Sequence, residues 1–120
     1  MLRRFLRSKI HRATVTGTDL HYEGSLTLDP ELMKRADILP DEAVDVYNIT
    51  RGTRFTTYAI EGTNPGSGEL LVNGAAAHLV EMGDLVIVCT YCDLGEEEWQ
   101  THESTVILVD ENNSVEERLE

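Results

Sequence analysis

The stretch "ILPDEAVDV", residues 38–46, has a counterpart 42 residues further along the chain in "VEMGDLVIV", residues 80–88. Each stretch begins with an apolar residue, passes through a turn that carries an acidic residue, and ends in alternating valines. Such alternation predicts strands. Two similar halves predict a closed barrel with pseudo-two-fold symmetry, because closure removes the edges of a sheet of many short strands. Chance similarity in so short a window is the alternative.

The segments around this repeat also predict a mainly β fold with short helices. Asp29 as N-cap and Pro30 as the first helical residue predict a helix over 31–36. The stretch "TNPGSGE", residues 63–69, predicts a loop. The acidic tail, about 110–120, is expected to fray. "GAAAHLV" (74–80) predicts a turn into a short helix, and "LGEEEWQTH" (94–102) a loop or one helical turn. Strands are predicted for "KIHRATVTGTDLHY" (9–22), "AVDVYNIT" (43–50), "RFTTYAIEG" (54–62), "LLVN" (70–73), "DLVIVCTYC" (84–92) and "TVILVD" (105–110).

Length and charge limit the possible functions. The 120 residues form one predicted domain, and the net charge of −12 argues against a nucleic-acid binder. The five bases within residues 1–12 either form a site for an anionic ligand or solvate an edge strand. No apolar run approaches the ~18 residues that a membrane span needs. The basic N-terminus lacks the pattern of a signal peptide, so we expect a cytoplasmic protein.

Cysteine and histidine spacing does not predict a metal site. Cys89 and Cys92 form a CxxC pair, but they end a predicted strand, where residues three apart point to opposite faces. His78 and His102 show no ligand spacing around this pair, and there is no second CxxC. Packing is therefore the favoured interpretation of both cysteines, with a redox pair or half a zinc site as the alternative.

The junction inside "LHYEGSLTLD", residues 20–29, allows two interpretations. Strand-like spacing on both sides of Gly24 and Ser25 predicts a bulge or tight bend, with Gly24 at positive φ. The alternative is that the Gly24–Ser25 bond breaks. A serine hydroxyl can attack the carbonyl before it, and elimination followed by loss of ammonia leaves a pyruvoyl group at residue 25. The ketone of that group could form a Schiff base with a substrate amine.

Four separated motifs favour the second interpretation. They are "KIHR" (9–12), "DLHYEGS" (19–25), "RFTTYAI" (54–60) and "VNGAAAH" (72–78). In this order and near this spacing, the chain resembles the bacterial aspartate 1-decarboxylases over roughly residues 1–92. The resemblance implies a double-psi β-barrel that decarboxylates L-aspartate at C1 to β-alanine and CO2, for pantothenate and coenzyme A biosynthesis. It also implies self-cleavage into a small β chain (1–24) and a large α chain (25–120), and a homotetramer with active sites at subunit boundaries. A maturation factor is possible.

The resemblance also implies roles for individual residues, with no metal among the cofactors. Ser25 becomes the pyruvoyl group that forms the Schiff base, and Gly24 becomes the end of the small chain. Thr57 polarises the scissile carbonyl and later lines the substrate site, and Tyr58 is the proton donor. Substrate-binding positions are Lys9, Arg54, Thr57, Asn73, Gly74, Ala75 and Ala76, and possible accessory positions are His11 and Tyr22. An arginine at 54 suits a substrate carboxylate, because its fork binds bidentately.

Overall fold

A computed structural model describes residues 1–116, which form one mixed eight-stranded sheet with short helices around it. The strands lie in the order β2-β6-β3-β5-β4-β7-β1-β8. This mainly β architecture is consistent with the double-psi β-barrel that the resemblance implies, but the hydrogen-bonded sheet runs from β2 to β8 without closing, unlike the closed barrel predicted from the repeat. The elements are β1 (Arg3–Thr14), β2 (Gly17–Asp19), β3 (Ser25–Leu28), α1 (Pro30–Ala36), β4 (Ala43–Asn48), β5 (Arg54–Glu61), β6 (Leu70–Asn73), a 3-10 helix (Gly74–Leu79), β7 (Leu85–Leu94), α2 (Glu96–Trp99) and β8 (Thr105–Leu108).

The sequence repeat is also a structural repeat. Val46 and Val88, which occupy the same position in the two stretches, lie directly opposite each other in the antiparallel pair of β4 and β7. The two turns before these strands make matching backbone hydrogen bonds, each turn exchanging two of them with one strand residue. The bonds run from Asp41 N to Ala59 O and Ala59 N to Glu42 O, and from Gly83 N to Val15 O and Val15 N to Asp84 O. The repeat therefore reflects a pseudo-two-fold arrangement and not chance.

The core forms where the inward faces of the strands meet. Strand alternation puts Val44, Val46 and Asn48 on one side of β4, and all three are buried. The fully buried side chains that join them come from β1, β3, α1, β6 and β7. They include Ile10, Leu26, Leu28, Leu32, Leu70, Val72, Val86 and Val88. Burial of such branched aliphatic chains contributes about 1.5–3 kcal/mol each, which compensates for the shortage of aromatic residues.

The predicted short helix is confirmed as α1, and Asp29 does more than cap it. The Asp29 carboxylate accepts a hydrogen bond from Glu31 N at 2.9 Å, as an N-cap should. It also accepts from the backbone N–H groups of Gly66 and Gly68, each at 2.9 Å. One buried carboxylate therefore ties α1 to the predicted loop at 63–69.

The predicted strand over residues 9–22 ends earlier than expected, so its predicted C-terminal boundary is wrong. The chain forms β1 and β2 and then turns at Leu20 to Glu23. The Asp19 carboxylate accepts a hydrogen bond from His21 N at 3.1 Å, which is the local turn that aspartate favours. The junction before Gly24 is thus a turn and not the continuation of a strand.

The prediction that the tail frays from about residue 110 is wrong for residues 110–116. Asn113 is 2% exposed, and its side-chain amide donates to Thr14 O and Gly68 O, both at 2.8 Å. Its Oδ1 accepts from Thr14 N at 2.7 Å, and Val109 forms a bridge with Val115. This segment therefore joins the end of β1 to the loop before β6. Residues 117–120 lie outside the described part of the chain.

The predicted packing role of the cysteines agrees with their positions in β7. Cys89 is buried and Cys92 half-buried, and both thiols are free. Burial raises the pKa of the Cys89 thiol. Within residues 1–116, no group of three or more His, Cys, Asp or Glu side chains is placed to hold a metal ion. No helix in the same range is long and apolar enough to cross a membrane.

Candidate active site

The Gly24–Ser25 bond lies at the boundary between an exposed turn and the buried strand β3. Gly24 is exposed, and no other atom lies within 4 Å of the point where a Cβ would sit. Ser25 is 1% exposed. The glycines with positive φ in residues 1–116 are at positions 52, 66, 68, 74 and 83, so Gly24 does not adopt the conformation that a glycine bulge would require. The face of Gly24 is open, and Ser25 is held in place.

Asn73 holds the Ser25 side chain. The two residues lie opposite each other in the antiparallel pair of β3 and β6. Asn73 Nδ2 donates to Ser25 Oγ at 3.0 Å and to Thr27 Oγ1 at 2.9 Å, and Ser25 Oγ donates to Glu23 O at 3.2 Å. Asn73 Oδ1 is buried and has no partner in the described chain. A buried polar atom without a hydrogen-bond partner is costly, and this one belongs to the side chain that binds Ser25.

Gly74 brings a second backbone against the junction. Its φ is +72°, and a Cβ there would lie 2.6 Å from Gly24 Cα, 2.8 Å from Gly24 N and 3.2 Å from Tyr22 O. Only glycine allows so close a backbone approach. Ala75 and Ala76 follow in the 3-10 helix, the first exposed and the second half-buried. The "VNGAAAH" motif therefore packs directly against the turn that ends in Gly24.

Strand β5 runs beside β3 and presents Thr57 and Tyr58 on opposite faces. In the parallel pair of β3 and β5, Leu26 lies opposite Ala59. Ser25 and Tyr58, which precede these two residues, are therefore at neighbouring positions in the two strands. Exposure alternates along β5, and Tyr58 is 37% exposed while Thr57 is half-buried. The hydrogen bonds to Ser25 within residues 1–116 involve Asn73 and Glu23, and none comes from Thr57. The opposite orientation of these two residues is as the strand pattern predicts.

Two of the predicted substrate-binding residues, Lys9 and Arg54, share the outward face of the sheet with Tyr58. Opposite residues in adjacent strands have side chains on the same face, and a row of them crosses four strands from Lys9 through Cys89 and Asp45 to Thr56. Arg54 and Tyr58 lie two residues to either side of Thr56. Lys9 is therefore three strand spacings, or about 14 Å, from β5. Lys9 lies on β1, which pairs with β7 and β8, whereas Ser25 lies on β3, which pairs with β5 and β6.

An open depression of about 320 Å³ lies on this face, and Arg54 is on its wall. The lining residues are Asp45, Tyr47, Arg54, Phe55 and Thr56. The Arg54 guanidinium lies over the Tyr47 ring, 4.5 Å from its centroid. A cation over an aromatic face is held there electrostatically, so Arg54 is oriented by a neighbouring side chain.

The two accessory residues lie in different surroundings. Tyr22 is 52% exposed in the turn, and its carbonyl oxygen faces Gly74. His11 lines a separate open cavity of about 410 Å³ with residues 108–111 and 116. Burial, followed by the charges of Lys9 and Arg12, lowers the pKa of His11. His11 Nδ1 is buried without a partner in the described residues. The residues that line this cavity do not include Ser25.

Comparison with known proteins identifies the family. The family model described as aspartate decarboxylase matches residues 1–116. The aspartate 1-decarboxylase of Syntrophotalea carbinolica is 58% identical over 113 residues, which cover 94% of this chain and 86% of that protein. The enzyme of the same name from Legionella pneumophila strain Lens is 58% identical over 115 residues, covering 96% and 86%. That from Caulobacter vibrioides is 55% identical over 115 residues, covering 96% and 97%. The chain belongs to the aspartate decarboxylase family.

Family membership confirms the resemblance drawn from the four motifs. In the structure, the predicted site residues of this aspartate decarboxylase family member lie in three places. Gly24, Ser25, Asn73 and Gly74 meet at the junction. Thr57 and Tyr58 lie on the next strand, and Arg54 and Lys9 lie further away on the outward face. Sequence reasoning missed two residues of that face, Tyr47 and Tyr91. Strand alternation could have placed Tyr47 opposite in orientation to Val46, but nothing in the sequence indicates its contact with Arg54.

Proposed function

We propose that this protein decarboxylates L-aspartate at C1 to β-alanine and CO2, supplying β-alanine for pantothenate and coenzyme A. The observation that carries this proposal is the Gly24–Ser25 junction within a member of the aspartate decarboxylase family. There, an open glycine precedes a buried serine that is hydrogen-bonded to Asn73. Gly74 lies close behind them, in a position that any larger residue would fill.

The cofactor of the proposed reaction is a pyruvoyl group made from Ser25. Ser25 Oγ attacks the Gly24 carbonyl carbon, the C–N bond breaks, and an ester replaces the amide. Elimination releases the Gly24 carboxylate and leaves dehydroalanine at position 25, which takes up one water and loses ammonia. The products are chains 1–24 and 25–120. The ketone supplies the electrophile that condenses with the substrate amine and withdraws the electrons left when CO2 departs.

The surroundings of Ser25 fit such a group. The Asn73 amide donates to the oxygen that attacks, which fixes its position before the reaction. Asn73 Oδ1 is a buried acceptor for which residues 1–116 supply no donor, so it can accept a hydrogen bond from a new group at position 25. In the proposal, Thr57 polarises the Gly24 carbonyl. It would have to approach from the inward face of β5, which it shares with Ala59.

Substrate binding is assigned to the outward face. The Arg54 fork holds one carboxylate of aspartate bidentately, and Lys9 adds positive charge that attracts a dianion to an otherwise acidic protein. Tyr58 delivers the proton to Cα, since a phenol O–H is far more acidic than the carbon that it protonates. Ala75 and Ala76 leave room for the substrate beside Gly74, and His11 and Tyr22 are accessory to the site.

A homotetramer with active sites at subunit boundaries completes this assignment. Along the sheet, Lys9 lies three strand spacings, or about 14 Å, from β5, and in the proposal a neighbouring subunit brings it to Ser25. Leu20, Tyr22 and Tyr58 are 48%, 52% and 37% exposed around the junction, which is an apolar surface that a neighbour could cover. A maturation factor that assists cleavage is compatible with the exposed turn. A cytoplasmic location is compatible with two free cysteines.

Intact mass and β-alanine formation test the two halves of the proposal. Wild-type protein should resolve into chains of residues 1–24 and 25–120, the second lacking one ammonia relative to serine, while Ser25→Ala stays at full length. Processed protein should release β-alanine from L-aspartate and discriminate strongly against L-asparagine and L-glutamate. Wild-type protein that remains uncleaved, even after incubation with an extract of its source cells, would contradict the pyruvoyl assignment.

Tyr58→Phe separates making the cofactor from using it. This variant should cleave at the wild-type rate, because the phenol lies on the face of β5 opposite to Thr57. Its β-alanine formation should fall by ~10²-fold or more, the usual effect of losing a general acid. Thr57→Val should instead accumulate as the full-length chain. Near-normal turnover of processed Tyr58→Phe would exclude Tyr58 as the proton donor.

A further inference from the structure

The charge of Arg54 is not neutralised by an ion pair within residues 1–116. Within residues 1–116 the ion pairs of arginine involve Arg7 and Arg51, and Arg54 belongs to none of them. Its side chain is exposed on the outward face, with the guanidinium stacked over the Tyr47 ring. Stacking uses the flat face of the guanidinium and leaves its N–H edge free to bind a carboxylate.

Asp45, the carboxylate in the same depression, is hydrogen-bonded to Thr56 and not to Arg54. Asp45 Oδ1 accepts a hydrogen bond from Thr56 Oγ1 at 2.5 Å. Asp45 and Thr56 are directly opposite in β4 and β5, so this contact is built into the strand register. Asp45 makes no ion pair with Arg54 in the described chain. The depression therefore keeps an oriented cation whose donors face solvent.

The ring beneath Arg54 is held by a second tyrosine. Tyr47 OH and Tyr91 OH are 2.8 Å apart and share a hydrogen bond between β4 and β7. The hydrogen bond to Tyr47, followed by burial, raises the pKa of Tyr91 well above its ordinary value, so Tyr91 keeps its proton throughout the neutral range. The Arg4 guanidinium lies 5.1 Å from the centroid of the Tyr91 ring. Tyr91 is thus fixed from the side away from Tyr47.

We infer that Tyr91 is a positioning residue for substrate binding, which acts by fixing the Tyr47 ring on which Arg54 is stacked. The inference rests on the proposed function, in which Arg54 binds a carboxylate of aspartate. The Tyr47 ring reaches Arg54 from the next strand, and the two residues are directly opposite in the register. Without its hydroxyl contact the ring can turn about its side-chain bonds, and the guanidinium loses a fixed orientation before substrate arrives. Prior orientation contributes to affinity by lowering the ordering cost of binding.

Tyr91→Phe removes the hydroxyl and keeps the ring. KM for L-aspartate should rise between about two- and ten-fold, the range expected for one neutral hydrogen bond. The kcat should stay within about two-fold, because the lost hydrogen bond orients Arg54 for substrate binding and does not take part in the chemical step. Cleavage at Gly24 should be unchanged. Tyr47→Phe removes the same hydrogen bond from the other side, and the double variant should be no worse than either single variant.

The decisive measurement repeats Tyr91→Phe in an Arg54→Lys background. Lysine cannot stack as a planar fork, so Tyr91→Phe should then leave KM unchanged. Thr50→Val serves as the control, since it removes the hydroxyl that accepts from Leu85 N at 2.9 Å in the turn between β4 and β5. This control should leave KM as in the wild type. An equal rise of KM in both backgrounds, or no rise in wild-type background, would overturn the role of Tyr91.

A second readout does not depend on turnover. The Nε–H resonance of Arg54 should be displaced by the ring current of Tyr47, and it should move toward the position of exposed arginines in Tyr91→Phe. An unchanged Arg54 resonance in that variant would also overturn the inference. Absence of β-alanine formation by the wild type would count against the proposed function alone, because the resonance would still report whether Tyr91 orients Arg54.

Discussion

Replacing Gly74 by alanine should disturb the Gly24–Ser25 junction more than its backbone angle alone predicts. A Cβ at position 74 would lie 2.6 Å from Gly24 Cα and 2.8 Å from Gly24 N. Carbon atoms pack best at about 3.5–4.0 Å, so the two backbones must separate by about 1 Å. Both contacts are with main-chain atoms, and no side-chain rotation can relieve them. The Gly24 turn should therefore move away from Gly74.

The energetic cost can be separated into two parts with Gly52→Ala as a matched control. Gly52 has φ +77°, close to the +72° of Gly74, but no atom lies within 4 Å of its missing Cβ. Gly52→Ala should cost only the left-handed strain of about 1–2 kcal/mol, reduced by the lower entropy of the unfolded chain. Gly74→Ala should cost a further 1–3 kcal/mol or so, the usual effect of overpacking.

Both variants should be compared by urea unfolding at one protein concentration in the Ser25→Ala background, where neither chain can cleave. Cleavage is then measured by intact mass in chains that keep Ser25. A shift of about 1 Å in the attacked carbonyl can reduce a positioned reaction by ~10²-fold. Gly74→Ala should be slowed to that extent, while Gly52→Ala should cleave normally. Equal stability of the two variants, together with normal cleavage of Gly74→Ala, would refute the proposed role of the close backbone contact.

Three further predictions concern the contacts that hold the fold around the site. Asp29→Ala should lower the free energy of unfolding by about 2–4 kcal/mol, because three backbone N–H groups lose their acceptor; a loss under about 1 kcal/mol in urea unfolding would contradict this. Asn113→Ala should cost a similar amount, whereas the exposed neighbour Asn112→Ala should change stability by less than about 0.5 kcal/mol; equal urea midpoints for these two variants would show that the tail contributes nothing. Burial raises the pKa of Asp84, but its hydrogen bonds to Asn48 and Arg51 outweigh that effect and leave the pKa below its ordinary value. The ionised Asp84 carboxylate therefore stabilises the folded state above about pH 4, and this stabilisation is lost as the pH falls through the lower folded pKa. The difference in free energy of unfolding between wild type and Asp84→Asn should shrink from pH 7 to pH 3. A constant difference would contradict this role of Asp84.

Local patterns in the sequence were sufficient for much of the fold and for the family. Alternation placed Val44 and Val46 in the core, and the Asp29–Pro30 pair marked the start of α1, because these features depend only on near neighbours. The repeat of residues 38–46 at 80–88 indicated the pseudo-two-fold arrangement of the strands. The four motifs were enough to indicate the family, since they are contiguous stretches whose order and spacing are visible without coordinates.

Only the tertiary structure decided how those motifs meet. Asn73 contacts Ser25 across 48 residues, and Gly74 lies against Gly24, because β3 and β6 pair in one particular register. Strand alternation gives the face on which a side chain lies but neither its partner strand nor its register. The polar tail likewise looked free to fray, yet Asn113 is buried, since the backbone groups of Thr14 and Gly68 need partners. Such needs arise only when distant segments have been brought together, and for that reason the sequence alone could not show them.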